Sequence, residues 1–191
     1  MRTLVWDIDD VLNNLMEIWL RRWREQHPEA VLDYAAIKRN PPHEFLGISF
    51  EAYLESLDQI RSSVSAHEEL TPNPQITAWL AEHGHRYRHL ALTARPAPTA
   101  GPAAAWVLGH FGAWIRTVAF VPVRKPAGWP DYDLNKADYL RWLDPDAILV
   151  DDSPENVSQA RDKGLAAMLF PQPWNAATQS VPEILNQLAK Y

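Results

Sequence analysis

Thr3-Leu4-Val5-Trp6-Asp7-Ile8-Asp9-Asp10 is a short apolar run that breaks abruptly into acids. A run this short, bounded by polar residues, reads as a buried strand. The same pattern returns at Ile148-Leu149-Val150-Asp151-Asp152-Ser153-Pro154-Glu155-Asn156, and a third tip is Leu90-Ala91-Leu92-Thr93-Ala94-Arg95. If the strands are parallel, all three tips fall on one edge of the sheet, where open α/β sheets bind ligands.

Outward from these tips the chain alternates. The spacing predicts strands at 3–6, 87–93, 116–121, 147–150 and 166–170. Helices are expected near 74–83, 101–111, from an Asp133 cap to Leu143, from Ser153-Pro154 to Gly164, and after the capping box Ser180-Val181-Pro182-Glu183. This alternation predicts a parallel sheet covered by helices on both faces. Residues 13–70 break it. They hold a helix at 12–27 with Leu12, Leu15, Met16, Trp19 and Trp23 on one stripe, a short helix at 33–39, and a helix at 50–62 behind Ser49. With no strand of their own, they read as a helical insertion over the carboxyl edge.

The 191 residues suit one domain with an inserted subdomain. Hydrophobic residues make up 47% and charged residues 22%, a globular mix that excludes a disordered chain. Eighteen Lys and Arg against 24 Asp and Glu give a net charge of −6, which argues against gripping a nucleic acid polymer. With no Cys, thiolate catalysis, disulfides and Cys-ligated metals are excluded. No apolar run is long enough for a membrane span, and the N-terminus turns acidic too early for a signal peptide, so a cytoplasmic protein is expected.

The acids carry the chemistry. Asp7 and Asp9 stand two apart, so in extended chain they point the same way and repel. Asp151 and Asp152 add two more carboxyls. Single acids at strand ends are ordinary turn and cap residues. Two pairs on different strands are costly without a cation, and hard oxygen donors favour Mg²⁺. Elsewhere the plain reading is preferred. Trp19 and Trp23 read as core, Arg21, Arg22 and Arg24 as a solvated helix face, His83, His85 and His89 as a surface cluster, and His110 as a half-buried packing residue.

This arrangement resembles the phosphatase branch of the haloacid dehalogenase superfamily. Asp7-Ile8-Asp9 is similar to its first motif, Thr93 to its second and Asp151-Asp152 to its fourth; Lys136, with Lys125 in reserve, stands for the single lysine of the third. The resemblance implies a Rossmann-like three-layer α/β core with a five-stranded parallel sheet in order 5-4-1-2-3. It implies a core domain of residues 1–12 and 71–191 and a small helical cap at 13–70. It also implies an enzyme, a phosphoric monoester hydrolase acting through an aspartyl-phosphate. Asp7 is then the nucleophile and Asp9 the acid and base. Mg²⁺ is held by Asp7, Asp9 (through its main-chain carbonyl), Asp151 and Asp152, and phosphate by Thr93, Lys136 and Arg95. Asp10 departs from the pattern, since many relatives carry Gly there. Asp-x-Asp-x-Val-Leu, Thr-Ala-Arg-Pro and Asp-Asp-x-Pro-Glu-Asn look like the 5′(3′)-deoxyribonucleotidases, which implies a small phosphomonoester and puts nucleotides among the candidates. Two alternatives stay open: a phosphorylatable receiver-like signalling domain, and an inactive binding protein on the same fold. A homodimer through Trp-rich helices is a further open expectation.

Overall fold

The computed structural model describes residues 1–29 and 32–191. The five strands are β1 (Thr3–Trp6), β2 (Arg88–Arg95), β3 (Ile115–Pro122), β4 (Ile148–Asp151) and β5 (Ala166–Leu169). All pairings are parallel, in the order β3-β2-β1-β4-β5, the expected 5-4-1-2-3 read from the other edge. β1 lies in the middle, with Trp6 level with Ala91 on one side and Val150 on the other. That register brings Asp7 beside the end of β4, where its amide donates to the Val150 carbonyl at 2.9 Å.

Side chains alternate across the central strand. Leu4 and Trp6 enter one core and Val5 the other. On the Val5 face pack α7 (Lys136–Leu143) and α8 (Pro154–Asp162), through Ala137, Leu140 and Ala160. On the Trp6 face pack α5 (Pro74–His83), α6 (Ala97–Phe111) and α9 (Val181–Leu188). The helices between β1 and β2 share this second core. They are α1 (Leu15–Gln26), α2 (His43–Leu46), α3 (Phe50–Ser62) and α4 (Val64–Glu69). Trp19, Tyr53 and Leu57 thus belong to the same buried cluster as Trp6 and Trp79. No described helix is long and apolar enough to cross a membrane.

Several local expectations are corrected. Residues 33–39 form only a single 3₁₀ turn at Tyr34–Ala36, and a short helix follows the prolines instead. α4 was hidden because Ser63, which looks like a helix end, caps a new one by accepting from the Ala66 amide at 3.2 Å. α6 starts at Ala97, not near 101, because Pro98 falls in a first turn that needs no amide donor. α7 is capped by Asn135 rather than Asp133, its side chain accepting from the Asp138 amide at 3.0 Å. His89 is no surface residue: it is buried, accepting at Nδ1 from Trp6 Nε1 at 3.1 Å and lying 2.9 Å from the Gly84 carbonyl at Nε2. His110 is exposed against Trp106. Arg21, Arg22 and Arg24 do lie on a solvated helix face, where Arg21 and Arg22 pair with Glu69 of α4.

Candidate active site

Beyond β1 the chain does not continue extended. The backbone turns sharply at Asp10, which takes the left-handed conformation at φ 60°. This is the position where Gly is expected, and Asp is one of the few other residues that tolerate it. The turn also builds the start of α1. Asp10 Oδ1 accepts from the Met16 amide at 2.8 Å, and Asn13 Oδ1 accepts from the amides of Asp10 and Leu15, both at 3.1 Å. The extra acid is therefore a helix cap, buried at 4% exposure.

Asp7, Asp151 and Asp152 meet. Each offers a carboxylate oxygen within 4.8 Å of the others, and all three are buried. Lys136, the first residue of α7, bridges two of them, with Nζ 2.7 Å from Asp7 and 2.6 Å from Asp151. It is 2% exposed. Lys125 lies elsewhere, paired with Asp131. Asp151 is fixed further by the Ser153 amide at 2.9 Å and by Asn156 Nδ2 at 3.1 and 3.2 Å. Burial pushes the Asp7 carboxyl up to about 7; Lys136 offsets part of that, while Asp151 and Asp9 repel it further. Burial also pushes Asp152 well up, with Asp7, Asp151 and Asp10 adding to the rise.

One ammonium thus faces several buried carboxyls. The donors are all hard oxygens, with no nitrogen or sulfur among them, and a dication would relieve the remaining repulsion. The set fits Mg²⁺.

Asp9 is placed apart from this cluster. Its carboxylate is held by Arg95 at 2.6 Å and by Arg61 at 2.9 Å. Burial alone would raise it, but the two guanidiniums outweigh that and hold it down at about 2. Arg95 is 1% exposed. It faces Asp9, the Thr99 carbonyl at 3.1 Å and Thr93 Oγ1 at 3.3 Å. Thr93 is itself buried and lies on the wall of a cavity of about 420 Å³ shared with Asp7, Asp9, Lys136 and Asp152. The opposite wall comes from the inserted helices, through Met16, Phe50, Tyr53, Leu57 and Arg61.

Arg61 and Trp174 were not singled out from the sequence. Arg61 had a signal: Tyr53, Leu57 and Arg61 recur every four residues, so the charge lies on the buried stripe of α3. Trp174, whose indole donates to Asp152 at 2.9 Å, lies in an irregular stretch with no periodicity to reveal it.

No family model matches the chain, and no curated protein matches it. Solved structures do. A haloacid dehalogenase-like family hydrolase from Streptococcus pneumoniae superposes with a TM-score of 0.63 at 18% identity, over 97% of this chain and 90% of that one. Protein Tyrosine Kinase A of Mycobacterium tuberculosis gives 0.67 at 17% identity, over 98% and 97%. The chain has the fold of the haloacid dehalogenase-like hydrolases. A third structure with this fold, the putative hydrolase YfnB of Bacillus subtilis, described as bound to magnesium, gives 0.54 at 12% identity over 99% and 97%.

Proposed function

We propose that this protein is a Mg²⁺-dependent phosphomonoesterase that works through an aspartyl-phosphate on Asp7. The observation that carries this reading is the meeting of Asp7, Asp151 and Lys136 from three separate elements at the carboxyl edge of the sheet. Asp7, Asp151 and Asp152 would hold the cation, together with the main-chain carbonyl of Asp9. Mg²⁺ supplies positive charge against the phosphoryl oxygens when bound.

Asp7 attacks phosphorus, and the bond from phosphorus to the ester oxygen breaks. Asp9 gives that leaving oxygen its proton. Water then attacks phosphorus of the aspartyl-phosphate, Asp9 takes the proton back, and phosphate and Asp7 are released. Thr93 and Lys136 hold the phosphoryl oxygens and offset their charge. In the arrangement described above Asp9 is the carboxylate, the form that the second step needs. Its first role requires that it take up a proton from solvent as substrate binding loosens the hold of Arg95 and Arg61 on the carboxylate. Arg95, buried against Asp9 and the Thr99 carbonyl, positions that acid rather than touching phosphate itself. The helices of residues 13–70 serve as the cap that closes over the substrate and excludes water.

The cavity favours a substrate with one phosphate and a flat or apolar body, and nucleotides are the leading class. Its cap wall carries Phe50, Tyr53, Leu54 and Leu57. Arg124, the other arginine of the cavity wall, already holds Asp58, which leaves little positive charge for a second phosphate. Turnover of an aryl phosphate and of nucleoside monophosphates, with and without Mg²⁺, tests the reading. Asp7→Asn is expected to keep the fold and lose all Mg²⁺-dependent turnover. Hydrolysis by that variant at a rate comparable to wild type sinks the nucleophile assignment.

A further inference from the structure

The stretch between β5 and α9 carries none of the residues assigned above, yet it reaches both acid loops. Trp174, 7% exposed, donates from Nε1 to Asp152 Oδ2 at 2.9 Å. Asn175 donates from Nδ2 to the main-chain carbonyls of Asp152 and Phe170, both at 2.8 Å. Its Oδ1 accepts from the amides of Gln172 and Ala177, each at 3.2 Å, so the stretch is folded around this side chain. Gln172 donates to the Asp10 carbonyl and accepts from the Tyr34 hydroxyl at 3.0 Å. The Tyr34 ring meets Trp174 edge-on, with centroids 5.8 Å apart at 82°.

Packing alone does not account for where the Trp174 indole points. Other buried indoles donate to neutral acceptors: Trp79 to the Leu185 carbonyl, Trp106 to the Leu70 carbonyl, Trp6 to His89 and Trp19 to Ser56. Among the described residues, Trp174 is the indole that donates to a carboxylate, and that carboxylate belongs to the candidate cation cluster. A donor on one oxygen of a ligating carboxylate fixes its rotation and leaves the other oxygen to the cation. Loss of such a partner typically costs about 10–100-fold in metal affinity.

We propose that Trp174, seconded by Asn175, is the positioning residue that orients Asp152 for the divalent cation shared with Asp7 and Asp151. This rests on the reading of that cluster as a cation site. Tyr34 ties the same brace to the segment between β1 and β2, so cap and cation site are ordered together.

Calorimetric titration of the full chain with Mg²⁺ tests the proposal, comparing wild type with Trp174→Phe and Asn175→Ala. kcat and the half-saturating Mg²⁺ concentration are measured alongside. Trp174→Phe is expected to bind Mg²⁺ about tenfold more weakly. The half-saturating concentration rises by the same factor, while kcat at saturating Mg²⁺ stays within about twofold. Asn175→Ala keeps the indole, is expected to show a smaller loss in the same direction, and decides the matter if Trp174→Phe does not fold. Unchanged Mg²⁺ affinity in the folded variant overturns the positioning role and leaves the cation site standing. So does a lower kcat at unchanged affinity, which marks a merely structural role. Wild-type protein that takes up no Mg²⁺ overturns the cation site and the positioning role together.

Discussion

At the scale of single residues, Asp10 shows how a departure from a motif is absorbed. The turn after β1 needs a left-handed residue, and Asp10 meets that need while capping α1. Alanine keeps neither property. Asp10→Ala is expected to lower the unfolding free energy by about 2 kcal/mol, roughly 1 for the left-handed backbone and about 1 for the lost cap. Asn tolerates the same backbone and keeps the acceptor, so Asp10→Asn is expected to lie within about 0.5 kcal/mol of wild type. Urea unfolding of the two variants checks this. If Asp10→Ala is as stable as wild type, the turn is not held by this residue.

At the scale of elements, β1 and β2 are joined by more than their ladder. The Trp6 indole donates to His89 Nδ1, and Nε2 of the same ring lies against the Gly84 carbonyl. This pairing requires a neutral imidazole, with its proton on Nε2. A proton on Nδ1 would point at the indole N–H. Burial depresses the His89 pKa below its ordinary 6.5, partly offset by the Gly84 bond. The unfolded chain therefore takes up this proton first, and the contribution of His89 to stability is lost as pH falls from about 7 through the ordinary histidine range. Urea midpoints at pH 7.5 and 5.5 are the measurement. The drop on acidification is expected to be smaller in His89→Gln than in wild type, and equal drops contradict the assignment.

The same scale shows what the sequence makes legible. Short apolar runs ending in acids located β1 and β4 to within a residue, because a parallel strand buried on both faces must be continuously apolar. α1 and α3 followed from their stripes. α4 and the true start of α6 did not, because Ser63 and Pro98 punctuate a chain in the same way whether they open a helix or end one. His89 was misplaced for a related reason. A histidine grouped with His83 and His85 looks like surface until its strand is known to lie between two others.

At the scale of the whole molecule, the candidate site is made by topology. Asp7 and Asp9 follow β1, Thr93 and Arg95 end β2, Asp151 ends β4, and Lys136 opens the helix that leads back to β4. The acids Asp7, Asp9 and Asp151 stand out in the sequence as strand-end carboxyls, whereas Thr93, Lys136 and Arg95 are assigned through the resemblance; the division of labour among them is not legible there. Asp7, Lys136 and Asp151 form one charged unit, and Asp9 with Arg61 and Arg95 forms another. That split depends on Arg61 arriving from α3, a contact between distant segments that no local pattern encodes. The same holds for Trp174, which reaches Asp152 from beyond β5.

The most direct test of the central claim is to catch the covalent intermediate. A phosphomonoester with radiolabelled phosphate is mixed with the protein and Mg²⁺, quenched in acid within milliseconds, and the labelled peptide is mapped. Label on the carboxyl of Asp7, absent when Mg²⁺ is removed and absent in Asp7→Asn, is the predicted result. Turnover without label on Asp7, or label on Asp151 or Asp152 instead, contradicts the account.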